Sequence, residues 1–167
     1  GLGGLGHLGV KIAVALGAEV TVLSRSTTKR DDALAMGAAD HLSTEDAAAM
    51  KGLRSSFDVI LNTVSADLDM EAYVRLLKPR GALVNVGLPP SKYEIRPGLP
   101  IGSSKVVAGS NIGGIPETKE MLAFCAEHGI GATIETITAD EVTDAYDKVV
   151  AGDVRYRYVI DVSTITG

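Results

Sequence analysis

Short apolar runs alternate with longer amphipathic stretches along most of the chain. Residues 7–16 carry apolar side chains at helical spacing, and residues 19–23 form a β-branched run bounded by Gly17 and a polar turn. Residues 57–62 and 82–86 repeat the strand pattern. Strands and helices that alternate in this way, joined by short loops, predict an α/β fold in which helices cover both faces of a doubly wound parallel sheet.

Capping residues and glycines set the predicted helix boundaries. Helices are expected over residues 29–36 and 44–51, each begun by a hydroxyl side chain, and over residues 70–77. The candidate caps are Ser26 or Thr27 for the first helix and Ser43 or Thr44 for the second. Residues 88–102 are rich in proline and glycine and predict a loop. Further on, the pattern predicts strands over residues 106–110, 132–137 and 156–162 and helices over residues 117–128 and 139–151.

Composition excludes several classes of protein. The chain has 167 residues, of which 46% are hydrophobic and 22% charged, values typical of a globular protein rather than a disordered one or a coiled coil. No apolar run approaches the ~18 residues of a membrane span. A formal net charge of −5 argues against a general nucleic-acid surface. We therefore expect small-molecule partners, with no nucleic acid and no membrane.

Cysteine and histidine give no sign of a metal site or a disulfide. Cys125 is the only cysteine, so the chain forms no internal disulfide, and this usage fits a reducing, cytoplasmic location. Cys125 lies on an apolar stretch at helical spacing, which favours a buried, inert thiol over a nucleophile. His7, His41 and His128 are too far apart in sequence to form a local set of metal ligands. No metal-binding or catalytic residue is therefore predicted in this chain.

The first six residues, Gly1 to Gly6, read G-x-G-x-x-G and lead directly into the first amphipathic stretch. Glycines at these positions allow a tight turn and a close approach of the backbone to a diphosphate, which the N-terminus of the following helix then faces. Such a motif is weak evidence alone, because flexible loops and folds that bind other nucleotides or S-adenosylmethionine also use it. In a dinucleotide-binding domain a strand precedes the motif, so we expect the chain to be a fragment that lacks this first strand.

A cluster of hydroxyl and cationic side chains follows the second predicted element, about 20 residues after the glycines, where NAD-binding domains place an acidic residue for the ribose 2′-hydroxyl. Here the chain has Ser24, Arg25 and Ser26, followed by Lys29. These groups can donate hydrogen bonds to a 2′-phosphate, which a carboxylate would repel. The sequence therefore predicts NADP(H) in preference to NAD(H). The alternative is an exposed basic helix start, partly neutralised by neighbouring acidic residues.

Several short segments strengthen this interpretation when they are taken together. They occupy residues 1–11, 23–26, 62–66, 76–81, 86–89, 110–114 and 153–157. In this order they resemble the C-terminal, cofactor-binding portion of a zinc-dependent alcohol dehydrogenase of the medium-chain dehydrogenase/reductase superfamily, in the branch similar to cinnamyl alcohol dehydrogenase. The resemblance spans nearly the whole chain and is specific as a joint pattern.

The resemblance implies cofactor roles for residues at several places in the chain. The diphosphate would lie on Gly1, Gly3, Gly4 and Gly6, with Leu5 against the nicotinamide ring. The adenosine ribose and its 2′-phosphate would lie among Ser24, Arg25, Ser26 and Lys29. Beside the riboses would lie Thr63 and Val64, around the nicotinamide Val86, Leu88, Ser110 and Ile112, and at the diphosphate Arg157, with Arg155 as its competitor. Strand ends of any α/β core carry residues of these types, so packing roles stay open for several of them.

The resemblance also implies an activity and a domain organisation. Residues 1–129 would form a dinucleotide-binding (Rossmann) domain truncated at its N-terminus, and residues 130–167 a segment that returns to the substrate domain. The whole protein would transfer hydride between nicotinamide and a primary alcohol or aldehyde. Zinc is expected only in the missing N-terminal half, so the fragment would be inactive alone. A homodimer would form through the sheet edge near residues 99–108.

Two other functions are open at the level of the sequence. A zinc-free quinone or enoyl reductase would share the cofactor-binding portion, and a non-catalytic nucleotide-binding module would share the glycine motif. An absent first strand would also leave a gap in the middle of the sheet. We expect the tail strand over residues 156–162, or a neighbouring chain, to fill that gap.

Overall fold

The computed structural model describes residues 1–165, and its helices and strands alternate as the sequence pattern predicts. The helices are α1 (Gly6–Ala15), α2 (Arg30–Ala35), α3 (Ala47–Gly52), α4 (Met70–Leu76), α5 (Gly98–Ile101), α6 (Ile115–Glu127) and α7 (Val142–Ala151). The strands are β1 (Thr21–Ser24), β2 (Asp40–Ser43), β3 (Phe57–Asn62), β4 (Leu77–Asn85), β5 (Val106–Gly109), β6 (Ile134–Ile137) and β7 (Arg157–Ile160). No helix in the described part of the chain is long and apolar enough to cross a membrane.

Helix α3 begins later than the sequence pattern predicts, because a carboxylate caps it instead of a hydroxyl. Oδ1 of Asp46 accepts hydrogen bonds from the backbone N–H groups of Ala48 and Ala49, at 2.9 and 3.0 Å. An ionised carboxylate accepts such bonds strongly and also interacts favourably with the positive end of the helix dipole. The caps predicted at Ser43 and Thr44 are therefore wrong.

The remaining boundaries agree with the pattern to different degrees. Helix α2 has no side-chain cap, so the cap expected at Ser26 or Thr27 is wrong, but Gly37 follows the helix with a φ of 94°, as its end requires. Strand β3 has the predicted bounds. Strand β4 begins at Leu77, a residue that the pattern assigned to the preceding helix, and α5 forms a single turn within the predicted loop of residues 88–102.

Within the described residues the strands form three separate sheets. β1 pairs with β2, and β6 pairs in parallel with β7, with Ile134 opposite Arg157. In the third sheet β3, β4 and β5 are parallel neighbours, with Asn62 opposite Asn85 and Asn85 opposite Gly109. The parallel α/β class is confirmed. The expectation that the tail strand fills a gap in the sheet is wrong, because β7 pairs with β6; a neighbouring chain in that role stays a prediction.

The chain folds into two compact units, which we name the sheet unit and the turn unit. The sheet unit consists of Gly1, Leu23–Thr28 and His41–Thr118. The turn unit consists of Leu2–Val22, Lys29–Asp40 and the described part of Lys119–Gly167. Both units combine segments that are distant in sequence. They are defined by compactness, so the domain boundary predicted between residues 129 and 130 stays a prediction.

Each unit has an apolar core of its own. The core of the sheet unit surrounds β3, β4 and α4, where Val74, Leu77 and Leu83 are fully buried. The core of the turn unit contains side chains from α1 and α2, together with Tyr156, which is 3% exposed. Tyr156 belongs to the described segment after α6, residues 128–165, which we name the tail. Burial of these side chains supplies the main driving force for folding each unit.

Candidate functional site

The part of the glycine motif that we name the glycine turn, residues 2–6, lies in the turn unit and leads into α1. Helix α1 has 10 residues, begins at Gly6 and carries no acidic residue in its first turn, so its N-terminus presents backbone N–H groups and a partial positive charge. A Cβ atom built on Gly3 would meet no other atom within 4 Å, and Leu5 is 59% exposed. The turn therefore faces open space that an anion can occupy.

An arginine from the tail contacts this turn. Nε and Nη2 of Arg157 donate hydrogen bonds to the carbonyl oxygen of Gly4, at 3.2 and 3.1 Å. Arg155, its competitor in the sequence-based prediction, lies elsewhere in the turn unit, with Nε 2.8 Å from Oδ2 of Asp32. Of the two arginines, Arg157 is the one placed beside the glycines.

Lys29 also lies in the turn unit, where the tail occupies most of its hydrogen-bonding capacity. Its ammonium donates to the carbonyl oxygens of Gly152 and Val154, at 3.1 and 3.2 Å, and lies 5.0 Å from the centroid of the Tyr156 ring. Desolvation, reinforced by the positive charge of Arg155, lowers the pKa of Lys29. An ammonium has three donors, so one remains after these two bonds. The predicted role of Lys29 at a 2′-phosphate stays a prediction.

The predicted 2′-phosphate turn, residues 24–26, lies in the sheet unit. Its backbone is anchored by the last residue of β2 and the residue after it: Ser43 Oγ donates to Arg25 O at 2.6 Å, and Thr44 N donates to Ser24 O at 2.8 Å. The side chains of Arg25 and Ser26 are exposed. The turn contains two hydroxyls, one guanidinium and no carboxylate, a set that suits a phosphate group.

The carboxyl ends of β3, β4 and β5 bring a second group of predicted residues together in the sheet unit. Val86 N and Ser110 N donate to carbonyl oxygens at the ends of the neighbouring strands, to Asn62 at 2.9 Å and to Asn85 at 2.9 Å. Thr63, Val64 and Leu88 flank these positions, and Thr63 Oγ1 donates to Gly1 O at 3.3 Å. Ligands bind at this edge in open parallel sheets. Ile112 lies two residues beyond Ser110 and is 91% exposed.

Two asparagines and a glycine shape this edge, and the prediction did not include them. Nδ2 of the buried Asn62 donates to Oδ1 of Asn85 at 3.1 Å, while Oδ1 of Asn62 accepts from Val64 N at 3.1 Å. A Cβ atom on Gly87 would lie 2.2 Å from the carbonyl oxygen of Val64, so only glycine fits there. The signal in the sequence that could have indicated this pair is an asparagine near the end of each of the two predicted strands, residues 57–62 and 82–86.

A carboxylate also fixes the segment that follows the strand edge. Glu71 on α4 accepts hydrogen bonds from the backbone N–H and the guanidinium of Arg96 and from Nη2 of Arg75. The bonds from Arg96, above all, lower the pKa of Glu71 to about 2. This clamp holds the residues before α5 against α4, and nothing in the spacing of the sequence predicted it.

The described residues do not suit a zinc ion. Among them, no three His, Cys, Asp or Glu side chains lie close enough together to hold a metal. Cys125 is half-buried, with Sγ 3.6 Å from Sδ of Met121.

Comparison with known proteins gives consistent matches over nearly the whole chain. A family model described as zinc-binding dehydrogenase matches residues 4–127. The chain is 53% identical over 166 residues to NADP-dependent alcohol dehydrogenase C 1 of Mycolicibacterium smegmatis, covering 99% of this chain and 47% of that protein. It is 53% identical over 167 residues to the probable formaldehyde dehydrogenase AdhA of Bacillus subtilis, again covering 99% and 47%. The chain thus spans about half the length of the curated relatives it matches.

Solved structures agree with these relatives. A cinnamyl alcohol dehydrogenase from Sorghum bicolor superimposes with a TM-score of 0.96 at 44% identity, over 99% of this chain and 47% of that one. The structure of CAD from Helicobacter pylori complexed with NADP(H) superimposes with a TM-score of 0.89 at 38% identity, with the same coverage of 99% and 47%. Both likenesses extend over the sheet unit and the turn unit.

Proposed function

Since the chain belongs to the zinc-binding dehydrogenase family, within the medium-chain dehydrogenase/reductase superfamily, we propose that it is the NADP(H)-binding portion of an oxidoreductase that interconverts primary alcohols and aldehydes. The observation that carries the proposal is the guanidinium of Arg157 bonded to the Gly4 carbonyl, beside the N-terminus of α1. That placement supplies a fixed cation and a helix end to the same anion. The relatives and the solved complex named for NADP support the choice of cofactor.

The turn unit fits a diphosphate on three counts. Gly3 leaves the space a Cβ would fill, the first turn of α1 has no acidic side chain, and Arg157 has donors left after its two bonds to Gly4. We propose that Gly1, Gly3, Gly4 and Gly6 contact the diphosphate and that Arg157 neutralises part of its charge. Leu5, which is 59% exposed, would pack against the nicotinamide ring.

Residues 24–26 of the sheet unit form the proposed 2′-phosphate site. Ser24 stands where an acidic residue would bind the ribose of NAD(H), and Arg25 adds a positive charge. Ser26 and Lys29 would also bind the 2′-phosphate, Lys29 through the one donor left after its bonds to Gly152 and Val154. A carboxylate at position 24 would repel the additional phosphate, so this turn sets the preference for NADP(H) over NAD(H).

The strand edge of the sheet unit forms the proposed site for the riboses and the nicotinamide. Thr63 and Val64 would lie beside the riboses, and the nicotinamide would lie among Val86, Leu88, Ser110 and Ile112. These residues would orient the ring through their backbone groups, and a bound nicotinamide would supply the capacity for hydride transfer. The side-chain oxygen of Asn62 holds the backbone N–H of Val64 for this role, and Gly87 leaves room for the Val64 carbonyl because it has no side chain.

The activity of the whole protein needs more than these residues supply. We propose that residues 1–129 are the dinucleotide-binding domain, that residues 130–167 return to a substrate domain, and that the zinc is bound outside this chain. The chain alone would then bind cofactor without oxidising alcohols. We further propose a cytoplasmic location and a homodimer through the sheet edge near residues 99–108, where Val106 is 49% and Val107 38% exposed.

Calorimetry with NADPH, NADH and S-adenosylmethionine tests the cofactor. The 167-residue chain should bind NADPH at least tenfold more tightly than NADH. Ser24→Asp should abolish or reverse that preference, because the carboxylate repels the 2′-phosphate and accepts from a ribose hydroxyl. Ser56→Asp, at the amino end of β3 in the same unit, is the matched control. Tighter binding of NADH by the unmodified chain would contradict the proposal, and binding of S-adenosylmethionine alone would favour a different nucleotide-binding function.

Activity is tested by joining the chain to the part of a 53%-identical relative that it does not cover. The joined protein should reduce aldehydes with NADPH, and the chain alone should not. Removal of zinc by a chelator should abolish that activity while leaving NADPH binding intact. Activity that survives complete zinc removal would favour the zinc-free reductase alternative. The proposed dimer is tested by chemical cross-linking of the chain followed by size-exclusion chromatography. Elution at the volume of a monomer would contradict it.

A further inference from the structure

His7 is a fully buried histidine that the proposed function leaves without a role. Its Nδ1 lies 3.1 Å from the carbonyl oxygen of Gly3, and its Nε2 lies 3.2 Å from the backbone nitrogen of Thr133, in the tail of the turn unit. A carbonyl can only accept a hydrogen bond, and a backbone N–H can only donate one. These partners therefore assign the neutral imidazole with the proton on Nδ1 and a bare Nε2.

The same histidine connects two segments that are 126 residues apart in sequence. The Gly3 carbonyl accepts from the backbone N–H of His7, at 3.0 Å, as well as from its ring, so this residue fixes one peptide group of the glycine turn twice. One helical turn further along α1, Lys11 donates to Gly131 O at 2.8 Å and to Thr133 Oγ1 at 3.1 Å. His7 and Lys11 thus fasten the start of α1 to residues 131–133.

The charges around His7 favour its neutral form. Lys11 on α1 and Arg157 on β7 are the charged groups that act on the ring, and both are cationic. Burial lowers the pKa of His7 below 6.5, with these cations adding to the effect and the bond to Gly3 opposing it. The Tyr156 ring stacks on the imidazole at a centroid distance of 4.9 Å, and its hydroxyl donates to Asp32 on α2. Two cations lie near this group: Arg155 is bonded to Asp32, and the Lys29 ammonium is 5.0 Å from the centroid of the Tyr156 ring.

Protonation at Nε2 would point an N–H group at the N–H of Thr133, so the bond to the tail would be replaced by repulsion. Protonation of His7 should accordingly leave the free energy of unfolding unchanged above pH 6.5, where the ring is neutral in both states. The free energy of unfolding should fall as the pH drops below that value, because the unfolded chain then binds the proton more readily than the folded chain.

We propose that His7, in its neutral form, is the positioning residue that holds the glycine turn against residues 131–133, and that dinucleotide affinity depends on this link. The proposal rests on the proposed function, since the affinity concerned is that of the same turn. We expect no contact between His7 and the cofactor. The ring would act through the Gly3 carbonyl, which sets the direction of the N–H groups that would receive the diphosphate.

Two substitutions separate the two bonds of the ring. His7→Asn places an amide near Nδ1, so it retains the bond to Gly3 and loses the bond to Thr133. His7→Gln places its carbonyl near Nε2, so it retains the bond to Thr133 and loses the bond to Gly3. His128→Asn is the matched control, because the exposed His128 bonds the Phe124 carbonyl, four residues back, in the same way at 3.0 Å.

Calorimetry with NADPH from pH 8 to pH 5.5 measures the consequence. At pH 8 each His7 variant should bind about threefold to tenfold more weakly than the unmodified chain, the range expected for one neutral hydrogen bond. The advantage of the unmodified chain should shrink below pH 6.5, while the ratio to His128→Asn stays constant. The 2′-phosphate itself titrates near pH 6 in all of these proteins, so the comparison uses ratios between variants at each pH.

A readout without cofactor separates this proposal from the proposed function. The ¹⁵N shifts of the His7 ring should report the Nδ1–H tautomer, and hydrogen exchange at the Thr133 amide should accelerate in His7→Asn but not in His7→Gln. Normal NADPH binding by both variants at pH 8, or the Nε2–H tautomer, would overturn the proposal. Affinity of the unmodified chain that rises relative to the variants at acidic pH would overturn it too, by indicating a direct contact of protonated His7 with the diphosphate. A chain with the expected tautomer that binds no NADPH would refute the proposed function, and with it the dependence of affinity on His7.

Discussion

The strand edge of the sheet unit and the glycine turn of the turn unit are built in opposite ways. At the strand edge, the backbone of neighbouring parallel strands is hydrogen-bonded in register, and the buried Asn62 bonds to the half-buried Asn85, 23 residues further along the chain. At the glycine turn, the backbone is held by side chains from the tail, with Arg157 bonded to a carbonyl 153 residues away. The first arrangement depends on the pairing of neighbouring strands, and the second depends on contacts between segments that are far apart in the sequence.

This difference predicts different sensitivities to substitution. The strand edge is crowded at the backbone, so an added methyl group is costly there even though the neighbouring side chains of Leu88 and Ile112 are exposed. The glycine turn has open space at Gly3, so it should tolerate an added atom but respond to loss of a side chain in the tail.

The largest effect is expected at the strand edge, from Gly87→Ala. The new Cβ would lie 2.2 Å from the carbonyl oxygen of Val64, and because that atom belongs to the backbone the strand end must move. We expect a loss of about 3 kcal/mol in the free energy of unfolding. Denaturation in urea measures it, with Gly98→Ala in α5 as the control, where no atom lies within 4 Å and alanine should be neutral or slightly stabilising. Equal stability of the two variants would show that the backbone at the strand edge is not crowded.

A smaller effect is expected in the turn unit from Tyr156→Phe. Tyr156 is 3% exposed and its hydroxyl donates to Oδ2 of Asp32 at 2.7 Å, a bond to an ionised acceptor. Burial, with the Asp32 carboxylate adding to it, raises the pKa of this phenol, so it remains a donor throughout the ordinary pH range. Removing the hydroxyl should cost about 1.5 kcal/mol, and the exposed Tyr146 provides the control Tyr146→Phe. No change in urea stability would show that the tail is held by other contacts.

How far the sequence predicts each region follows from the same difference. The strand pattern of residues 57–62 predicted β3 correctly, and Gly37 predicted the end of α2, because both signals come from residues close together in the chain. The prediction also chose Thr63, Val64, Val86 and Leu88 for a site, and parallel pairing of β3 with β4 brings these positions to one edge. No local pattern could indicate that Lys29 would bond to residues 152 and 154, or that Glu71 would hold Arg96, because such contacts depend on how distant segments pack.

A local contact in the sheet unit gives an effect of about 1 kcal/mol. The sequence pattern favours the nearby hydroxyls of Ser43 and Thr44 as the cap of α3, yet the carboxylate of Asp46 accepts from Ala48 N and Ala49 N. Asp46→Ala should lower the free energy of unfolding by about 1 kcal/mol. Glu45→Ala, one residue earlier and exposed, should change it by less than about 0.5 kcal/mol. If both variants are equally stable in urea, the cap has no energetic role and the start of α3 is fixed by its packing.

The smallest change in stability, and the sharpest test of the comparison, is expected from Gly3→Ala. Since no atom lies within 4 Å of the added Cβ, the free energy of unfolding should change by less than about 0.5 kcal/mol. The same methyl group would occupy the space proposed for the diphosphate, so NADPH affinity should fall by about tenfold or more. Urea denaturation and calorimetry on one preparation measure both quantities. Gly87→Ala should lower mainly the free energy of unfolding, whereas Gly3→Ala should lower only the affinity for NADPH. A Gly3→Ala chain that binds NADPH normally would place the diphosphate away from this turn.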